Sequence, residues 1–179
     1  MGEDKALLPI HGEPMIQHIQ SALSSFAGTF ILSVAPGETT DLPGMIAVPD
    51  KAADCGPLMG ICSALSASST DLNIVAACDI PCIRTEVVET LLSRASGREI
   101  VAPSFQSGLP EPLLGVYRKS VAVAAERLLA DGVRKVSALF DVCSVEIVPF
   151  ESSDWYFNLN TREEYERWIR RAAAPVKGD

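Results

Sequence analysis

The sequence predicts an α/β fold built on a mainly parallel sheet, and three observations carry that reading. Short apolar runs alternate with stretches whose apolar residues recur at helical spacing, the pattern of strands and helices taking turns in a layered sheet. One run, residues 74–78 (Ile-Val-Ala-Ala-Cys), is unbroken and has turn formers just before it at Ser68, Ser69 and Asp71. A strand of that kind is buried on both faces, as strands of helix-covered parallel sheets are, and belongs near the middle of the sheet. Over its 179 residues the chain shows no internal repeat, low-complexity segment or linker, so one domain spanning 1–179 is expected.

The elements follow in order. Pro14 suits the first turn of a helix through Met15, Ile16, Ile19, Leu23 and Phe26, with Gly28 as its C-terminal stop. Residues 29–35 read as a strand ended by Pro36-Gly37, and 45–48 as a shorter one before Pro49-Asp50. Residues 58–65 have the small and apolar spacing of a buried helix opened by Gly56-Pro57. After the central strand come a helix over 85–94, a strand at 100–103 and another at 113–117. A helix at 121–129, a short one at 136–140 and an alternating strand at 142–148 lead to a closing amphipathic helix at 162–171.

Composition narrows the function classes. Hydrophobic residues make up 47% and charged residues 21%, the profile of a compact globule with a real core. A formal net charge of −8 and a pI near 4.8 offer no basic footprint for nucleic acid or an anionic membrane, so neither is expected as a partner. A small anionic ligand needs only a local site and stays open. The five cysteines, Cys55, Cys62, Cys78, Cys82 and Cys143, include no C-x-x-C pair, and there are only two histidines. A structural zinc site is therefore not expected, and reduced thiols in a cytoplasmic protein are. No secretory signal or membrane span is visible.

Four loop segments follow strands or open helices. Residues 1–5 carry Gly2, Asp4 and Lys5; a lysine after a glycine is also ordinary surface chemistry. Residues 50–60 run Asp50-Lys-Ala-Ala-Asp54-Cys-Gly56-Pro57-Leu58-Met-Gly60, glycines flanking a helix start. Backbone N–H groups there suit an anion or a close-lying planar base, though the same loop serves as a plain strand-to-helix turn. Asp79, in Cys78-Asp79-Ile80-Pro81, follows the central strand, where open α/β sheets bind ligands; capping a helix or starting a turn would use an aspartate equally well. Last, Asn158 and Asn160 stand before Thr161, which with Glu164 fits a capping box.

In this order, Asp-Lys-Ala-Leu-Leu-Pro, Gly-Pro-Leu-x-Gly, Cys-Asp-x-Pro and Asn-x-Asn-Thr resemble the molybdenum cofactor guanylyltransferase family (molybdopterin-guanine dinucleotide biosynthesis protein A). The segment Pro110-Glu111-Pro112-Leu113-Leu-Gly-Val-Tyr117-Arg118 is similar to that family's as well, and the resemblance runs from Met1 to Tyr165. It implies a three-layer, Rossmann-like, nucleotide-diphospho-sugar transferase-like fold. The implied activity joins GMP from GTP to molybdopterin and releases pyrophosphate, with Mg²⁺ as cofactor. The implied partners are GTP and molybdopterin, then the molybdoenzyme or its chaperone.

By the same resemblance Lys5 meets the nucleotide phosphates, and Gly56 and Gly60 lie where guanine and ribose pass close to backbone. Asp50 is a nucleotide-binding carboxylate, Asp79 the Mg²⁺ ligand, and Asn160, with Asn158 less surely, lies near the reacting phosphates. That chemistry suits the residue types: attack of one phosphate on another brings two anions together, which a metal and a lysine offset. One or two oxygen side chains suffice for Mg²⁺, which keeps several waters.

Two departures qualify these expectations. The family's first strand and glycine-rich loop, Leu-Ala-Gly-Gly, precede its Asp-Lys, whereas this chain begins at Met1. The chain as given is expected to bind GTP poorly and to leave a gap beside residues 74–78, unless further residues precede Met1. At Ser33-Val34-Ala35-Pro36 relatives usually offer an Asn near the base, which leaves room for CTP in place of GTP. The alternatives are a CTP:molybdopterin or sugar-phosphate nucleotidyltransferase, and an inactive nucleotide- or pterin-binding partner protein.

Overall fold

The computed structural model describes residues 8–10, 12–80, 82–105, 108–151 and 164–166. Strands β1 (Pro9–Ile10) and β2 (Glu13–Pro14) pair as a short antiparallel hairpin with Gly12 at φ 92°. Pro14 is the N-cap of helix α1 (Met15–Leu23) rather than its first residue; its ring holds φ near the helical value while ψ remains extended. α1 stops well before Gly28. At Ser24 the backbone N–H and the hydroxyl both donate to the Ser21 carbonyl, at 3.3 and 2.8 Å, a local bonding that competes with the next helical turn.

β3 (Phe30–Val34) and β4 (Met45–Pro49) form a parallel ladder from Phe30↔Met45 to Val34↔Pro49. α2 (Pro57–Ala67), β5 (Leu72–Ala76), α3 (Thr85–Ser93), β6 (Ile100–Ser104), β7 (Leu114–Arg118) and α4 (Val121–Ala130) follow. A 3-10 turn at Val136–Asp141 takes the place of the expected short helix, and β8 (Val145–Pro149) closes the sheet. The four-stranded sheet has the order β5-β7-β6-β8. β6 and β8 are parallel, and β7 is antiparallel to both β5 and β6. Thus β5, β6 and β8 share one direction, and β7 is the reversed strand of a mixed sheet.

The helices lie in two layers. On one face α3 covers Val101, Leu114 and Val116 through Val87 and Leu91, and α1 covers Ile74 and Ala76 of β5 together with Phe30 of β3. On the other face α2 and α4 enclose Ile100, Ala102 and Tyr117, with Val75 packed against them. Alternate residues of β5 therefore face opposite layers, as the two-residue period of a strand requires.

The segment expected at the centre needs correcting. β5 begins two residues earlier than 74–78, stands at one end of its four-stranded sheet, and is half-buried rather than fully buried. The fully buried strands are β6 and, for four of its five residues, β7. The apolar run misleads because it continues into the turn after β5, where Ile80 is completely buried. Among the described residues, neither β3 nor β5 has a ladder partner on its second edge. Of the closing helix, residues 164–166 are described and helical. Tyr165 there donates its hydroxyl to the Pro9 carbonyl and packs against the α1 cluster.

Candidate functional site

The parallel ladder of β3 and β4 brings their carboxyl ends together. The Asp50 N–H donates to the Val34 carbonyl at 2.8 Å, so the carboxylate stands directly over the strand ends. Ser33 Oγ donates to Asp50 Oδ1 at 2.7 Å in a half-buried position. The chain then turns into α2 through two unusual residues. Asp54 has φ 56° and Gly56 φ 68°, left-handed conformations that glycine adopts freely and aspartate tolerates. Arg134 donates from Nη1 to the Asp54 carbonyl and ties this turn to the segment after α4. Pro57 opens α2, where its missing N–H costs nothing.

Gly60 lies one helical turn further on. A Cβ there would stand 2.9 Å from Ser33 Oγ, so any larger residue on α2 would displace the Ser33 hydroxyl. Ser33, Asp50, Gly56 and Gly60 line one cavity of about 350 Å³ with Ala35 and Asp54. Lys51, beside Asp50, is turned to α4 instead: its Nζ donates to Glu126 Oε1 at 2.7 Å. That bond raises the Lys51 pKa and lowers that of Glu126. Both side chains are more than half exposed, where an ion pair adds little to stability.

Asp79 occupies the turn after β5. Ala77 N–H still bonds to the Leu113 carbonyl of the neighbouring strand at 2.8 Å, and Ile80 is anchored in the core, so the aspartate is held between two fixed points. Among the described residues its Oδ1 is buried without a hydrogen-bond partner. A buried carboxylate oxygen left unpartnered is costly, and a hard cation or a ligand donor is the natural complement. Among the described residues no three His, Cys, Asp or Glu side chains form a metal cluster. The donor set thus suits a cation that needs a single carboxylate and takes its other oxygens from water and phosphate.

The structure therefore brings Asp50, Gly56 and Gly60 around one cavity and sets Asp79 on a separate strand end, outside that lining. Lys5 and Asn160, like Asn158, lie outside the described residues. A larger cavity of about 520 Å³ sits at the start of α3, bounded by Arg84, Glu86, Phe150 and Glu151. Among the described residues it contains none of the sequence-predicted site residues, and its mixed charge suits no single ligand sign. Sequence reasoning missed two residues, Ser33 and Arg134. Ser33 stood only as the first residue of the strand end 33–36, with no role of its own, and Arg134 is 80 positions from its partner, a separation that no local pattern reveals.

Fold and site together define a class: an α/β domain that presents ligand-binding groups at the carboxyl ends of its strands. The family model for the MobA-like NTP transferase domain matches residues 1–144, and the chain belongs to this nucleotidyltransferase family. It is 34% identical over 177 residues to a probable molybdenum cofactor guanylyltransferase of Clostridium perfringens, covering 94% of this chain and 88% of the relative. The crystal structure of molybdopterin-guanine dinucleotide biosynthesis protein A from Archaeoglobus fulgidus superposes with a TM-score of 0.78 at 24% identity, over 96% of this chain and 91% of that one. A Mycobacterium tuberculosis protein crystallised with manganese shares the fold, with a TM-score of 0.67 at 14% identity over 94% and 93% of the two chains. No helix among the described residues is long and apolar enough to cross a membrane.

Proposed function

We propose that the protein transfers GMP from GTP to molybdopterin as a single cytoplasmic domain spanning residues 1–179, releasing pyrophosphate. A phosphate oxygen of the pterin attacks the α-phosphorus; the bond to the bridging oxygen breaks, and that oxygen leaves with pyrophosphate. The observation that carries this reading is the buried Oδ1 of Asp79 at a strand end, without a hydrogen-bond partner among the described residues, in a chain of a nucleotidyltransferase family. The names of its relatives supply the guanylyl donor and the pterin acceptor.

In this reading the cavity at Asp50, Gly56 and Gly60 takes the base and ribose. Gly56 and Gly60 leave backbone and planar base free to approach, and Asp50 accepts from the base. Asp79 would hold Mg²⁺ through its carboxylate. When bound, the ion supplies positive charge against the triphosphate. Lys5 adds a further cation to the phosphates, and Asn160 hydrogen-bonds beside them. The product would then pass to a molybdoenzyme or its chaperone.

The test is pyrophosphate release by full-length protein with molybdopterin and GTP, ATP or CTP. GTP should support transfer at least about tenfold better than CTP, the factor that about 1.4 kcal/mol of base discrimination provides. Equal or better transfer from CTP would make the protein a cytidylyltransferase. Tight nucleotide binding without any transfer would make it a binding partner.

A further inference from the structure

We infer that Ser33 is a positioning residue for base selection: its hydroxyl fixes the Asp50 carboxylate so that it accepts two adjacent donors, and Gly60 leaves room for that hydroxyl. The inference rests on the proposed transfer from a guanine nucleotide and names the residue that sets its preference.

The geometry begins with the 2.7 Å bond from Ser33 Oγ to Asp50 Oδ1. An ionised carboxylate has about four lone-pair positions, so one bond restrains its rotation and leaves the other positions for a ligand. Two oxygens side by side best match two donors side by side. Guanine presents such an edge, the ring N1–H next to the N2 amine. Cytosine and adenine each present an amine beside a ring nitrogen that accepts, which a carboxylate repels. A carboxylate held in one plane thus favours guanine through a paired, charge-assisted contact and penalises the other bases. Without the serine the same carboxylate turns freely and loses part of that distinction.

Gly60 belongs to the same device. A methyl at this position would lie 2.9 Å from Ser33 Oγ and 3.4 Å from its Cβ, and β3 holds the serine backbone in a parallel ladder with β4. The hydroxyl, and with it the bond to Asp50, would have to move.

The test measures dissociation constants for GTP, ATP and CTP with Mg²⁺, using full-length protein and the variants Ser33→Ala, Gly60→Ala, Asp50→Asn and Ser33→Ala/Asp50→Asn. The unaltered protein should prefer GTP. Ser33→Ala should weaken GTP binding by about tenfold, the scale of one hydrogen bond to a charged group, and change CTP binding by less than about twofold. Gly60→Ala should lower the GTP-to-CTP preference in the same direction. In the Asp50→Asn background Ser33→Ala should add nothing to the loss of preference, since coupled residues act as one unit. A preference for GTP that survives Ser33→Ala overturns this inference and leaves the proposed transfer intact. A protein with no preference among the three nucleotides overturns both. If Ser33→Ala does not fold, Ser33→Cys, which keeps the size and replaces the hydroxyl by a weak donor, decides in the same two directions.

Discussion

Replacing Asp79 by Asn takes the charge from a carboxylate whose Oδ1 is buried and, among the described residues, unpartnered. A buried polar group without its hydrogen bond costs about 1–3 kcal/mol, and more when charged. Without ligand, then, the variant should be as stable as the parent or gain up to about 1 kcal/mol. For a chain of this length that is a rise of roughly 2 to 4 °C in Tm. With Mg²⁺ and GTP the order should reverse. A ligand at a hundred times its Kd adds about 2.7 kcal/mol to the folded state, or roughly 5 to 10 °C, and the variant should lose most of that gain together with turnover. Calorimetry of both proteins, with and without Mg²⁺ and GTP, shows whether the curves cross. A variant that melts far below the parent without ligand would make Asp79 a structural residue. One that gains the full ligand shift would remove it from the metal site.

Three further outcomes test the fold beneath the site. At Gly115 in β7 a Cβ would sit 2.8 Å from the Val101 carbonyl oxygen of the adjoining strand, so Gly115→Ala should cost about 1–3 kcal/mol, seen as a clear loss of Tm. Burial raises the Cys143 thiol pKa from its ordinary 9.0 to about 11, and burial also raises those of Cys62 and Tyr117. Their protonated forms fit the fold, so stability should be full below about pH 9 and fall as pH rises through 11; Cys143→Ala should flatten that fall in a pH series of Tm values. No disulfide joins any of the five cysteines, and thiol titration of the denatured protein without reductant should find all five.

The alternation of strands and helices was legible because each helix buries one stripe, as with Met15, Ile16, Ile19 and Leu23 of α1. The site loops were legible because Gly56-Pro57 and Cys78-Asp79 interrupt that pattern where strands end. The place of β5 was not, since a continuous apolar run reports covered faces and says nothing about which edges are paired. The reversal of β7 was equally hidden: Leu114 to Tyr117 are fully buried, so their pattern resembles that of a parallel strand. Nor could sequence show that the Ser33 hydroxyl reaches Asp50, because that contact depends on the register Ser33↔Val48 and Val34↔Pro49 between β3 and β4.

Transfer of a guanylyl group to a pterin phosphate is the activity proposed for this protein. The most direct measurement incubates the full-length protein with molybdopterin, Mg²⁺ and either GTP or CTP, and follows both pyrophosphate and the mass of the pterin product. One pyrophosphate released per guanine dinucleotide formed, with little product from CTP, is the expected result. A cytosine dinucleotide formed as readily, or bound GTP with no dinucleotide at all, would contradict guanylyl transfer.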